Sequence, residues 1–244
     1  MTQSIQAILE KQHLRWNLQK ETVKNVYNRR HLPKPVITIS RLIGSGASEI
    51  AKSLTSELGC ELLGFRIMDE VATRSRITKE LVDVMDERVH SQLGEWMRSM
   101  LRNRSTIDSD LHHRHLLRAI NYFMETGNVV LLGRGAGFLP KTCPRLDIRI
   151  VAPMRFREKR VMARNSCTHK EAMKIISESD VQRAKFIHQL FGENWEDSRH
   201  YDIVINTGTI RPDDAVAVIT TAWNDMARTH LEAGTDVSSL IPVP

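Results

Sequence analysis

The sequence predicts an α/β protein built on a mainly parallel sheet. Short apolar, β-branched runs recur between longer stretches of helical character. These runs read as apolar throughout, as expected of strands covered on both faces. The first of them, "PVITIS" at 35–40, passes directly through a glycine-rich turn into a helical stretch, "RLIGSGASEIAKSL" at 41–54.

Along the chain, residues 4–30 read as a helix, with Ile5, Leu9, Trp16, Val23 and Val26 near one stripe. Pro33 and Pro35 stop it. Such a helix packs on a domain surface or serves as an arm for a homodimer, although Gln12 and Gln19 interrupt the stripe. After the first strand and its loop, a helix is expected from about Ala47 to Leu58. "CELLGF" (60–65) reads as a weak second strand, and 67–126 as mostly helical with a break near "STIDSD" (105–110). "GNVVLLGRG" (127–135) reads as a central strand ending in a loop, and "LDIRIVAP" (146–153) as a strand closed by Pro153. Residues 154–191 read as helical and strongly charged, "YDIVINT" (201–207) as a last strand, and 212–232 as a last helix. The tail, "AGTDVSSLIPVP", is expected to be loosely held.

The 244 residues suffice for one large domain, and a hydrophobic content of 41% suffices for a core. No apolar run approaches the roughly 18 residues of a membrane helix. The N-terminus lacks the apolar stretch of a secretory signal. Cys60, Cys143 and Cys167 are far apart, which predicts free thiols and a cytoplasmic location. A net charge of +6 favours anionic partners. Aromatic residues, at 5%, are too sparse for a stacking platform, so nucleic acid is disfavoured.

The glycine turn carries the clearest chemistry. Against the phosphate-loop pattern G-x-x-x-x-G-K-[ST], the second glycine is Gly46 and the hydroxyl residue Ser48. Ala47 stands in the lysine position and Arg41 in that of the first glycine. Backbone N–H groups at a helix N-terminus converge on an anion, assisted by the helix dipole. Gly44, Ser45, Gly46, Ala47 and Ser48 are therefore the candidate phosphate cradle, with Ser48 able to offer its hydroxyl to a phosphate-bound Mg²⁺. Ala47 supplies no charge, and Arg41 is the local candidate to replace it.

A second cation source lies in "MRFREKRVMARN", where Arg155, Arg157, Arg160 and Arg164 follow a strand. Downstream, Asp180 and Arg183 are three apart and share a helix face. Arginines converging on a phosphate cleft can clamp a transferring phosphoryl group. Two other clusters are weaker. His112, His113 and His115 suggest a metal, but adjacent helical positions diverge by about 100° and no cysteine is near. The two "MDE" triplets, at 68–70 and 85–87, read as ordinary helix surface charge.

The blocks "ITISRLIGSGASEIAKSL", "VVLLGRGAGFL", "LDIRIVAPMRFREKRVMARN", "SDVQRAKF", "FGENWED" and "YDIVINT" occur in an order that resembles the cytidylate kinase-like family of P-loop kinases. The resemblance implies a P-loop NTPase three-layer sandwich with a helical lid, and the reaction ATP + (d)CMP to ADP + (d)CDP. It implies an N-terminal helical extension over 1–34, a kinase-like domain over 35–232 with its lid at about 155–191, and a tail over 233–244. By motif, Gly44 to Ser48 would hold the phosphates of ATP with Mg²⁺. Arg134, Asp180 and Arg183 would meet the acceptor, and Arg157 and Arg160 lead into the lid. Asn206 and Thr207 would lie near the adenine. The true cytidylate kinases have a lysine at the position of Ala47, an aspartate at Gly135 and an arginine at Ile176. The kinase-like branch, which commonly lacks the lysine, often has an aspartate at the position of Gly64. Those departures leave a second expectation open: a nucleotide-binding regulatory protein on the same fold.

Overall fold

The computed structural model describes Ala7, Leu14, residues 33–73, Trp96 and residues 107–233. The expected N-terminal helix and its dimer arm, and the tail, lie outside the described residues, apart from Ala7 and Leu14, which are helical and exposed.

Among the described residues, five strands form one parallel sheet: β1 (Val36–Arg41), β2 (Glu61–Gly64), β3 (Val129–Leu132), β4 (Leu146–Val151) and β5 (Ile203–Asn206). Their order is β2-β3-β1-β4-β5, so β1 is central. Its register places Ile39 beside Leu132 on one side and Ile148 on the other. The helices are α1 (Ala47–Leu58), α2 (Phe65–Thr73), α3 (Ile107–Thr126), α4 (Met154–Asn165), α5 (His169–Phe191) and α6 (Pro212–Ala233). Because parallel strands need crossovers, helices cover both faces and the sheet has an apolar layer on each.

Strand periodicity sorts the side chains. Ile37, Ile39, Val130, Ile148, Ile150 and Ile205 point to the face packed by α1 and α6. Val129, Leu131 and Leu63 point to the opposite face, packed by α3 and the end of α5. Each such fully buried aliphatic side chain contributes about 1.5–3 kcal/mol relative to exposure. Thr38 and Ser40 share the second face but sit beyond its apolar core, where they line a cavity.

Several boundaries differ from expectation for local reasons. The helical stretch 154–191 is two helices, because Ser166 adopts a left-handed conformation (φ 50°) and Thr168 opens α5 with a capping box to Glu171. Residues Ile107–Thr126 are helical, so Asp108, Ser109 and Asp110, within the expected break, belong to α3.

One buried ion pair organises the sheet's lower end. Arg145 (1% exposed side chain) donates from Nε to Asp147 at 2.8 Å. It also donates to the carbonyls of Gly137, Leu139 and Pro140, thereby fixing the loop after β3. Breaking such a pair strands its partner's charge. Arg145→Leu should cost about 3–5 kcal/mol in urea unfolding, and the added change Asp147→Leu should recover part of that loss. A double variant no more stable than the single one would contradict this.

Candidate active site

The phosphate loop is held by its carbonyls. Ser45 Oγ donates to Leu42 O at 2.8 Å, Arg157 Nε to Ile43 O at 2.8 Å, and Thr207 Oγ1 to Ser45 O at 2.7 Å. The carbonyls are thereby drawn into the protein. The N–H groups of Ala47 and Ser48, in the first turn of α1, have no intrahelical acceptor and are available to an anion. Two glycines make this possible. Gly44 (φ +75°) lies so close to α4 that a Cβ would stand 2.6 Å from the Arg157 carbonyl oxygen. Gly46 (φ +80°) leaves its face open to the Arg160 guanidinium, which a Cβ would displace.

The arginines divide their tasks differently from expectation. Arg157 was expected to reach phosphate. Instead it is buried, and its Nη2 donates to both carboxylate oxygens of Asp180 at 2.8 and 2.6 Å. Asp180 is thereby occupied on α4, where the acceptor nucleotide was expected. Arg160 lies over the loop at Gly46 and pairs with Glu49 at 3.3 Å. Arg164 is exposed in the last turn of α4, about 6 Å further along the helix axis. Arg155 is exposed as well.

Arg41 was expected to supply the charge missing at Ala47. Its guanidinium lies instead against Gly133, on the far side of β1's end, where a Cβ on that glycine would collide with it. Thr207 and Asn206, expected near adenine, are engaged with backbone: Thr207 through Ser45 O, and Asn206 Oδ1 as acceptor from the Gly208 N–H at 2.9 Å.

Arg41, Arg134 and Arg183 converge on a cavity of about 290 Å³ beyond the carboxyl ends of β1 and β3, the usual ligand position in open parallel sheets. Arg183 Nη1 donates to the Arg41 carbonyl at 2.7 Å. Arg134 pairs with Asp69 of α2 and stands over the Phe186 ring, 5.4 Å from its centroid. It sits between Gly133 and Gly135 in a run of three positive φ angles (91°, 56° and 69°), a strained turn that aims its side chain. Burial, and the neighbouring Arg183 and Arg134, push the Arg41 guanidinium down to about 9. At neutral pH it stays protonated beside Arg183 and Arg134, whose charges Asp180 and Asp69 already offset in part, and an anion in the cavity would relieve the repulsion that remains.

The rest of the cavity is aromatic, with Phe138, Trp195 and Tyr201 in its wall. Sequence reasoning assigned no role to Thr38, Ser40, Trp195 or Tyr201, and read Asp69 as surface charge. The alternation in "ITIS", an apolar residue then a hydroxyl twice over, was the available signal. The departures from the enzyme pattern also have local causes. Gly135 lies under the Phe191 ring, where a Cβ would collide. Ile176 is 1% exposed and packs between α4 and α5 with Val161 and Ala172. Gly64 faces open space, and Asp69, on the helix that follows, supplies a carboxylate to Arg134.

Residues 36–209 match the profile of the cytidylate kinase-like family. The cytidylate kinase of Pyrococcus horikoshii is 28% identical over 207 residues, which covers 84% of this chain and 94% of that one. The cytidylate kinase of Pyrococcus furiosus is 29% identical over 205 residues, covering 84% and 93%. Among solved structures, an uncharacterized protein from Eubacterium ventriosum superposes with a TM-score of 0.56 at 23% identity, covering 78% of this chain and 99% of that one.

Two outcomes test the site's construction. Gly135→Ala, with strained φ and an overpacked Phe191, should lose at least about 2 kcal/mol in urea unfolding. Inorganic phosphate should raise Tm by relieving the repulsion among Arg41, Arg134 and Arg183, and the shift should shrink in Arg183→Ala. An equal shift in that variant would place the anion elsewhere.

Proposed function

Because the chain belongs to the cytidylate kinase-like family, we propose that it transfers the terminal phosphoryl group of ATP to a nucleoside monophosphate, with (d)CMP becoming (d)CDP. The observation that carries this reading is a pair of anion-ready sites flanking the end of β1. On one side stand the N–H groups of Ala47 and Ser48 under Arg160. On the other stand Arg41, Arg134 and Arg183 in a cavity with an aromatic wall. The archaeal relatives named cytidylate kinase support the choice of acceptor.

In this reading the phosphate loop holds the donor's phosphates through backbone N–H groups, and Arg160 stands in for the absent lysine. Arg41, Arg134 and Arg183 orient the acceptor phosphate, and the aromatic wall receives its base. Arg164 lies one turn beyond Arg160 on the helix that would close over the transferring group. In this reading Mg²⁺ is carried mainly by the nucleotide phosphates, with Ser48 as its protein ligand. The ion would neutralise charge on the phosphoryl group. Such transfer depends on positioning and charge neutralisation, so it requires no dedicated base.

Ala47 also supports a second reading, a regulatory protein that binds nucleotide without turnover. ADP formation with MgATP and a panel of nucleoside monophosphates separates the two. Arg160→Ala should lower kcat about 10- to 100-fold, with Arg160→Lys retaining more activity. Arg41→Ala and Arg183→Ala should chiefly raise the acceptor KM. No transfer to any monophosphate, together with calorimetric nucleotide binding, would favour the regulatory reading.

A further inference from the structure

The base end of the cavity contains two hydroxyls whose protons are already committed. Thr38 and Ser40 lie two apart on β1, face the same side, and both line the cavity. Arg41, at the phosphate end, is three residues beyond Thr38 on that strand, or about 10 Å along it. Phe138, Trp195 and Tyr201 stand around the hydroxyls, so a ligand with its phosphate on the arginines would place a flat ring there.

The Thr38 hydroxyl lies 2.6 Å from Asp147 Oδ1. Arg145 holds that carboxylate at 2.8 Å, and Lys141 stands 3.6 Å away. Burial pushes the Asp147 carboxyl up, while Arg145, the Thr38 hydroxyl and Lys141 pull it down. A neutral Asp147 would leave the Arg145 charge buried and unpaired, so the carboxylate is the form present. A carboxylate only accepts, and therefore Thr38 donates to it. Gly137 permits this closeness: a Cβ there would stand 2.9 Å from Thr38 Oγ1 and 3.2 Å from Asp147 Oδ1.

Ser40 is committed by a longer chain. The Tyr201 hydroxyl lies 2.7 Å from the Trp195 carbonyl and 3.2 Å from Ser40 Oγ. A carbonyl never donates, so a 2.7 Å contact between these two oxygens requires the tyrosine's proton. Arg149 Nη1 also donates to Tyr201, at 3.3 Å, and its guanidinium stacks on Trp195 at 4.5 Å, which fixes the ring. With the tyrosine's proton spent, the contact to Ser40 uses the serine's proton. Both hydroxyls then turn lone pairs, and no protons, toward the cavity.

We propose that Thr38 and Ser40 form an acceptor-only pair that selects a nucleobase with an exocyclic amino group, cytosine over uracil, and that Asp147 and Tyr201 are the positioning residues that lock it. This rests on reading the cavity as the monophosphate site. An amino group brings N–H donors to the two oxygens. A keto group sets its own lone pairs against them and finds no donor. Ribose hydroxyls are donors too, so the test separates base from sugar.

The experiment is calorimetric binding of CMP, dCMP and UMP to the full chain, independent of turnover. CMP and dCMP should bind alike, and UMP about 10- to 100-fold more weakly. In Tyr201→Phe, Ser40 regains its proton and can turn it to a keto oxygen, so the CMP-to-UMP ratio should fall mainly because UMP binds better. In Ser40→Ala the ratio should fall because CMP binds worse. A merely structural role would weaken both nucleotides together and preserve the ratio. A wild-type preference unchanged in both variants overturns the proposal. So does equal binding of CMP and UMP, whether or not dCMP is weaker; the weaker dCMP would assign the donors to ribose. Failure of all three to bind overturns the proposal together with the monophosphate reading, whereas binding without preference overturns the selection alone.

Discussion

The ion pair between Arg157 and Asp180 is the contact on which both halves of the candidate site depend. It joins α4 to α5 through a nearly buried guanidinium whose remaining reach goes to the Ile43 carbonyl of the phosphate loop. One side chain thereby ties two helices to the loop between β1 and α1. Arg160 is one turn from Arg157 on α4 and falls over Gly46. Arg183 is one turn from Asp180 on α5 and falls on the Arg41 carbonyl. The placement of both cations follows from helical spacing once the pair is set. Removing either partner would leave a poorly solvated charge and loosen both sites together.

Around that anchor the molecule concentrates positive charge where it is unfavourable without a ligand. Arg41 is buried beside Arg134 and Arg183, and Arg134 is held in a left-handed turn between two glycines. The cost is carried elsewhere, by the apolar layers on the two faces of the sheet and by Arg145, which binds down the loop after β3 with three carbonyl contacts. Strain and like-charge repulsion at a site are what a phosphate dianion would relieve. The aromatic wall, rigid because Arg149 stacks on Trp195 and Tyr201, completes a cavity with a charged end and a flat-ring end.

Much of this architecture was legible in the sequence. The β-branched and apolar runs "VITIS", "VVLL", "LDIRIV" and "IVIN" marked four of the five strands among the described residues, and the weaker "ELLG" marked the fifth, because strands buried in a parallel sheet are rich in Val, Ile and Leu. Within the charged stretch 154–191, Thr168 with Glu171 three residues later carried a capping signal, but helical composition on both sides hid it. The arginines were visible as residue types and their targets were not. Arg41 was read toward Ala47, its near neighbour in the chain, whereas its side chain lies against Gly133, which is remote in sequence but follows β3, the strand paired with β1. Arg157, Arg160 and Arg164 looked equivalent, and burial alone separates the one that builds the fold from the one that covers the loop.

The sequence by itself determined the sheet, the loop between its first strand and helix, and the family to which they belong, since these depend on local patterns of apolar spacing, glycine and hydroxyl. It also determined that Ala47 brings no charge to that loop. Only the tertiary structure decided which cations stand where, because each depends on contacts between segments far apart in the chain: Arg157 with Asp180, Arg160 with Gly46, Arg41 with Gly133. It alone decided that Thr38 and Ser40 turn lone pairs to the cavity. Which way a hydroxyl's proton points depends on what it meets in space, and Asp147 and Tyr201 meet these two through folding, not through sequence neighbourhood.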